Sequence, residues 1–190
     1  SDPNSSDKRI PGWLKVINTR MSSLKLSYIL LAIVVPLILI SVYFLNIRPF
    51  SASQNTMRIA LNNTSWTNRI GFYQQAVELS PGLANYTHIL FIRTVLSEWD
   101  SISPDIRQSI KDIIEDKALK GLILEPENWR LYYSLARFYQ IATLSDLGLI
   151  AQADHYTDMT VKLAPKTLEA DIIKNVNSQL HELVYPKNEP

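Results

Sequence analysis

The 190-residue sequence contains no cysteine and only five glycines. The absence of cysteine excludes disulfide bonds, thiolate catalysis and cysteine-ligated metal sites together, and it leaves the redox compartment open. The glycines form neither a G-x-G-x-x-G motif nor a P-loop, so neither kind of phosphate-binding loop is present. His88, His155 and His181 fall in three different predicted helices without metal-ligand spacing, and we expect them to be partly exposed. We therefore predict no catalytic residue, no metal site and no cofactor, and we expect that the protein is not an enzyme.

Charge of either sign is absent from residues 26–47. Between Leu26 and Leu45 only Ser27, Pro36 and Ser41 depart clearly from apolar character. Twenty helical residues cover ~30 Å, which is the thickness of the hydrocarbon core of a bilayer. The alternative is a buried core helix, but a soluble helix of this length would normally keep a polar face. The sequence predicts a single transmembrane helix over residues 26–47.

Aromatic residues stand near both ends of this run. Tyr28 near one end, and Tyr43 with Phe44 near the other, fit the aromatic belts of the two membrane interfaces. Pro36 lies in the middle, where it leaves one backbone carbonyl without its helical donor, as membrane spans tolerate. We predict that these four residues and Trp13 form the membrane anchor.

Residues 10–25 carry apolar side chains at every third or fourth position, with Lys15 on the opposite side. This pattern predicts an amphipathic helix that lies in the membrane interface, with Trp13 at headgroup level. A helix packed on a neighbouring subunit is the alternative. Residues 1–9 are polar and are predicted to be a disordered leader.

Basic residues are concentrated ahead of the span. Residues 1–25 contain five basic and two acidic residues, whereas the remainder contains 14 basic and 16 acidic residues. The positive-inside rule therefore predicts a cytoplasmic N-terminus and a periplasmic or otherwise extracytoplasmic C-terminal domain, anchored in the cell (inner) membrane. No basic patch predicts nucleic-acid binding. Because the first residue is Ser1, we expect either a processed chain or the C-terminal part of a longer protein.

After Pro49 the apolar periodicity predicts one helix after another, with no strand alternation. Three of these helices end alike, in a small residue, a hydrophobe, a variable residue, leucine, a variable residue and proline. The three prolines are Pro81, Pro126 and Pro165. Such a repeat is typical of helical hairpins that bury their apolar faces only by stacking on one another. We predict an all-α domain of about three stacked hairpins over residues 48–184, followed by a loose tail over residues 185–190.

The run P-E-N-W-R-L-Y-Y-S-L-A-R-F-Y, from Pro126 to Tyr139, resembles the first helix of a tetratricopeptide repeat. The segment from Gly148 to Pro165 resembles the second helix of that repeat. This resemblance implies tetratricopeptide-like stacked hairpins, although the spacing here exceeds the ~34 residues of that family. The aromatic residues of the first segment are interpreted either as the lining of a ligand or peptide groove or as packing between hairpins. The candidate binding residues are Trp129, Tyr132, Tyr133 and Tyr139.

A second resemblance covers more of the chain. The stretch from Asn46 to Ala52, followed by Tyr73-x-x-Ala76-Val77-x-Leu79-x-Pro81, is similar to the C-terminal part of O-antigen ligase and polymerase-like membrane proteins that carry tetratricopeptide-like extensions. The resemblance implies topology and architecture. It assigns the transferase chemistry to a many-span region that this chain does not contain, so no residue here inherits it.

Three functions are compatible with these features. The first is a non-catalytic, membrane-anchored binding or assembly subunit, a scaffold that contacts lipid through its span and a protein partner through its hairpins. The second is the C-terminal piece of a polytopic glycan ligase or polymerase. The third is an accessory subunit of a large membrane complex that packs on its partners through the span itself.

Overall fold

The computed structural model describes residue 28, residues 30–61 and residues 64–186 of the chain. The predicted leader, the predicted interfacial helix with Trp13, and residues 187–190 of the predicted tail lie outside the described residues. The chain divides into two compact units, Ser1–Ile47 and Arg48–Pro190.

The first unit contains helix α1, over residues 30–42, which runs through Pro36 without interruption. Residues Tyr43–Ile47 then form one wide π turn. Pro49 gives a physical reason for this turn, because it has no N–H to donate to the carbonyl of Leu45 and its ring would collide with that carbonyl in a regular helix.

The helical run Leu30–Ile59 is long and apolar enough to cross a membrane. None of the residues in its most apolar 18-residue stretch is buried by other described parts of the chain. A helix with the predicted length and apolar character is therefore present near the N-terminus.

The second unit consists of helices joined by short turns. The helices are α2 (Arg48–Ile59), α3 (Trp66–Leu79), α4 (Ala84–Ser97), α5 (Pro104–Leu124), α6 (Trp129–Thr143), α7 (Ile150–Leu163) and α8 (Leu168–Val184). Single 3₁₀ turns at Pro81–Leu83, Trp99–Ser101 and Leu147–Leu149 connect some of them. Across residues 30–61 and 64–186 there is no β-strand, so the prediction of an all-α protein is confirmed.

Consecutive helices pair with one another, α2 with α3, α4 with α5 and α6 with α7. The first helices of these pairs also contact each other in order, α2 with α4 and α4 with α6, and α6 in turn contacts α8. One continuous hydrophobic cluster runs through the unit and includes Tyr73, Phe91, Ile110, Leu131, Phe138 and Ile173. The core is therefore built between successive pairs as well as within each pair.

The helix ends at the repeated prolines share one backbone geometry. The residue before the proline leaves the helical conformation, with φ near −140° and ψ between 54° and 86°, and donates its N–H to the carbonyl four residues earlier. These pairs are Ser80 (φ −143°, ψ 86°) with Ala76, Glu125 (φ −132°, ψ 76°) with Gly121, and Ala164 (φ −137°, ψ 54°) with Thr160. A following proline disfavours the helical conformation, which explains why each helix stops at this position.

The small residue of each repeat is buried where its helix meets another element. Gly121 of α5 shows why size matters there. A Cβ atom at Gly121 would collide with Asn85 Oδ1 and would lie 3.0 Å from Cδ2 of the His88 ring. The close approach of α5 to α4 therefore favours glycine at this position.

A buried arginine joins the first helix pair to the second. Arg69 of α3 is only 1% exposed, and its Nη1 is 2.8 Å from Oε2 of Glu98 at the end of α4. Its Nη2 donates to the carbonyl of Leu61 at 2.8 Å, and its guanidinium lies 4.7 Å from the ring centroid of Trp66. A charge removed from water needs such partners, so this group fixes the α2–α3 turn against α4.

Candidate functional site

The second unit contains a groove between α4 and α6 that reaches the first turn of α8. We call it the arginine groove, and its volume is about 450 Å³. Apolar side chains of α4 form one wall, and the exposed face of α6 forms the other. The residues used below are Arg93 and Leu96 of α4, Trp129, Arg130, Tyr133 and Arg137 of α6, and Glu169 of α8.

The start of α6 positions the aromatic part of the groove. Asn128 caps the helix by accepting a hydrogen bond from the N–H of Leu131 at 3.2 Å, and its own amide donates to Glu125 at 2.8 Å. Trp129 is therefore held as the first residue of α6. Tyr133 lies one turn further on, and both rings are half-buried along the groove.

Three guanidinium groups line the groove against a single carboxylate. Arg130 lies 5.3 Å from the ring centroid of Trp129. Arg93 and Arg137 make no hydrogen bond or ion pair with any of the described residues. Arginine is always charged in a protein, and Glu169 is the one acidic residue in the lining. The groove therefore concentrates positive charge in a unit where acidic residues outnumber basic ones.

The structure separates the four aromatic residues that the sequence singled out. Trp129 and Tyr133 line the groove, whereas Tyr132 and Tyr139 are buried in the core, so these two do not contribute to a surface. Their partner in the core is Tyr156 of α7, whose ring stacks on that of Tyr139 at 5.2 Å. Tyr132 and Tyr139 therefore pack between helices, whereas Trp129 and Tyr133 line the groove.

Burial also changes the acidity of these core phenols. The Tyr139 hydroxyl donates to Glu115 Oε1 at 3.0 Å. Burial, together with the nearby Glu115 carboxylate, raises the pKa of Tyr139 far above its ordinary value. The same two causes, with burial the larger, raise the pKa of Tyr156 to about 12. Both phenols are therefore neutral hydrogen-bonding groups at physiological pH.

The three histidines have different surroundings. Contrary to the expected partial exposure, His88 is only 1% exposed, and its Nδ1 lies 2.7 Å from the Tyr73 hydroxyl. Burial lowers the pKa of His88 to about 4, so the ring is neutral at pH 7. His155 is exposed, and His181 is hydrogen-bonded to Asp154 at 2.6 Å. Within the described part of the chain, no three His, Cys, Asp or Glu side chains are arranged to hold a metal ion.

The predicted anchor residues lie in the first unit, apart from Trp13, which is outside the described residues. Tyr28, Tyr43 and Phe44 are exposed, and the rings of Tyr43 and Phe44 meet edge to face with their centroids 5.3 Å apart. Pro36 is exposed within α1.

The groove arginines were not among the residues predicted from sequence. Their signal is weak, because a charged residue on a helix surface is usually a solvated one. The spacing of Trp129, Tyr133 and Arg137, four residues apart, places all three on one face of α6 and was the available clue.

Comparison with known proteins identifies no relative of this chain. No protein-family model, no curated protein and no solved structure matches this chain.

Proposed function

We propose that this protein is a non-catalytic, membrane-anchored subunit that binds a protein partner in the arginine groove. The observation that carries the proposal is the groove itself, because two of its three guanidinium groups have no partner among the described residues. An arginine-rich, aromatic-lined concavity is what protein recognition uses, since arginine, tryptophan and tyrosine dominate the binding energy of interfaces.

The membrane anchor in this proposal is the uncharged apolar part of the helical run Leu30–Ile59, residues 30–47. Its uncovered apolar side chains require lipid or other apolar surroundings, because an exposed patch of this size is unfavourable in water. The excess of basic residues in residues 1–25 supports a cytoplasmic N-terminus and a groove on the extracytoplasmic side. In this arrangement the anchor determines the location, and the second unit determines the partner.

The architecture we propose for the second unit is tetratricopeptide-like. Support comes from the order of contacts, in which α2, α4, α6 and α8 follow one another along one row, and from the three proline-terminated helix ends with matching geometry. In a stack of hairpins the first helices line one face, and the arginine groove lies on helices of this row.

Photocrosslinking tests the binding role directly. A photoreactive phenylalanine analogue in place of Tyr133 would face the groove, and the same residue at Asp158, which is exposed on α7, serves as the control. In the native membrane, we expect one or a few discrete crosslinked products from position 133 and none from position 158. Equal products from both positions, or no product from position 133, would contradict the proposal.

A second candidate makes the span the contact, as in an accessory subunit of a large membrane complex. The uncovered side chains of α1 favour it, because helix packing can cover them as lipid does. The photoreactive residue at Leu39 distinguishes the two functions. Products from position 39 without products from position 133 would indicate that the span, and not the groove, is the surface that contacts the partner.

A third candidate is that the chain supports the outer domain of an O-antigen ligase or polymerase-like glycan transferase. It rests on the similarity around Tyr73, Ala76 and Pro81. Sequencing of the encoding gene upstream of Ser1 tests this candidate. Many hydrophobic spans in the same reading frame would support it, and a start codon directly before Ser1 would remove it.

A further inference from the structure

The arginine groove does not end at Arg137. A second depression of about 190 Å³ begins at the same side chain and follows α6 to its C-terminal end, where α8 forms the other wall. Its lining includes Ile141 of α6 and Leu144, the residue that follows α6, with Val176, Leu180 and Leu183 of α8. We call this depression the apolar extension. The two depressions together form one track along α6.

The two halves of the track differ in chemistry. On α6, Arg130, Tyr133 and Arg137 occupy successive turns in the first half. Ile141 continues the same face in the second half, followed by Leu144 at the C-cap position of the helix. Arg93 adds a further positive charge to the first half only. No acidic residue lines the apolar extension.

We infer that the track binds an unstructured peptide segment of the partner that has a cluster of acidic residues and, a few residues away, a cluster of apolar residues. This inference rests on the proposed binding function and specifies its ligand. Charge complementarity identifies the acidic cluster, because guanidinium groups pair with carboxylates in a bidentate geometry. The apolar extension identifies the other cluster, since a uniformly charged polyanion would leave it uncovered.

The length of the track sets the spacing of the two clusters. From Tyr133 to Leu144 the helix advances by about 16 Å, at ~1.5 Å per residue. An extended peptide covers the same distance in about five residues, at ~3.3 Å per residue. The acidic and apolar clusters of the ligand should therefore be separated by roughly four to six positions.

Selection from a random peptide library tests the inference without knowledge of the partner. The full chain, embedded in lipid nanodiscs, is used to select from an mRNA-displayed library of random 12-residue peptides. We expect enriched peptides to contain both clusters at this spacing. No enrichment over empty nanodiscs, or enrichment without acidic residues, would overturn the inference.

Variants then assign each cluster to its half of the track, with an enriched peptide as the fluorescent probe. The triple variant Arg93→Gln, Arg130→Gln, Arg137→Gln should weaken binding by at least about tenfold, as expected when interface arginines are lost. Lys162→Gln, at an exposed position of α7, is the matched charge control and should leave binding unchanged. Equal binding by the triple variant and by this control would overturn the assignment of the acidic cluster.

A matched pair of leucines on α8 tests the apolar half. Leu183 lines the apolar extension and Leu168 does not, yet each is 71% exposed. Leu183→Ser should weaken binding several-fold, and Leu168→Ser should not. The same loss in both variants, or in neither, would overturn the assignment of the apolar cluster.

Two further outcomes concern other ligand classes. If inorganic polyphosphate or vesicles containing anionic phospholipid compete with the peptide as strongly as unlabelled peptide does, the groove is a general anion site and the inference is wrong. The proposed binding function can be judged separately from this inference. If position 133 still crosslinks to a protein in the native membrane, the binding role is supported even though the ligand class has failed.

Discussion

Two glycines inside helices should respond to the same substitution with opposite changes in stability. Gly71 lies in α3 and Gly121 in α5, and alanine is better than glycine in a helix interior by about 1 kcal/mol. Around Gly71 no atom other than those of the adjacent residues and the backbone of its own helix lies within 4 Å of the position of an added Cβ. Gly71→Ala should therefore raise the free energy of unfolding by about 0.5–1 kcal/mol.

At Gly121 the added methyl group meets the Asn85 side chain and the His88 ring. The His88 ring is buried and hydrogen-bonded to Tyr73, so it has little freedom to move away. Overpacking of this kind costs about 1–3 kcal/mol, which exceeds the gain in helix propensity. Gly121→Ala should therefore lower the free energy of unfolding by about 1 kcal/mol.

Urea unfolding of the full chain in nanodiscs, followed by tryptophan fluorescence, measures both changes. The thermal unfolding midpoints of the two variants should also differ, by roughly 2–4 °C for each kcal/mol of difference in stability in a chain of this size. Adding Asn85→Ala to Gly121→Ala removes one of the two collisions, and a double-mutant cycle should show a coupling of at least about 0.5 kcal/mol. If Gly121→Ala stabilises the protein as much as Gly71→Ala does, the close packing of α5 on α4 is refuted.

Three further predictions address the buried charge, the buried histidine and the span. Glu98→Gln leaves the guanidinium of Arg69 buried without its counter-charge and should lower the free energy of unfolding in urea by about 3 kcal/mol; a loss below about 1 kcal/mol would contradict the ion pair. Burial lowers the pKa of His88 in the folded state to about 4 from its ordinary value of 6.5. Its contribution to stability is therefore complete above pH 6.5 and is lost as the pH falls towards 4, by about 3 kcal/mol in all. An NMR titration of the His88 ring should show a midpoint near pH 4, and a midpoint near 6.5 would contradict its burial. Ile38→Arg should raise the free energy of membrane insertion by about 3 kcal/mol and reduce the carbonate-resistant fraction, whereas Ser53→Arg, outside the predicted span, should not; equal fractions for both variants would argue against the span.

Local sequence patterns predicted an all-α protein and the ends of three of its helices. The leucine-x-proline ends of α3, α5 and α7 predicted where helices stop, because proline restricts the residue before it whatever the tertiary context. Tyr185 before Pro186 ends α8 with similar geometry, and the N–H of Tyr185 donates to the carbonyl of His181. The sequence analysis predicted the start of the tail at residue 185, where α8 ends. It did not assign this end to the proline repeat, because the residues before it do not match the small-residue pattern of the other three.

The faces of the helices were harder to predict than their ends. Helix α6 is apolar on nearly every side, so composition alone did not distinguish groove residues from core residues. Tyr132 and Tyr133 are neighbours in sequence but lie about 100° apart around the helix, and only the first faces α7. The buried positions of Arg69 and His88 depend on Glu98 and Tyr73, which lie 29 and 15 residues away, and no local pattern reveals such pairs.

Single-cysteine labelling tests the membrane arrangement most directly, because these 190 residues contain no cysteine and every labelled site within them is therefore the introduced one. A membrane-impermeant maleimide is applied to intact cells and to permeabilised cells that carry Ser5→Cys, Ile38→Cys or Asp158→Cys. We predict labelling of position 158 in intact cells, of position 5 only after permeabilisation, and of position 38 in neither case. Efficient labelling at position 38, or labelling at position 158 only after permeabilisation, would contradict a lipid-embedded helix with the groove on the outer side.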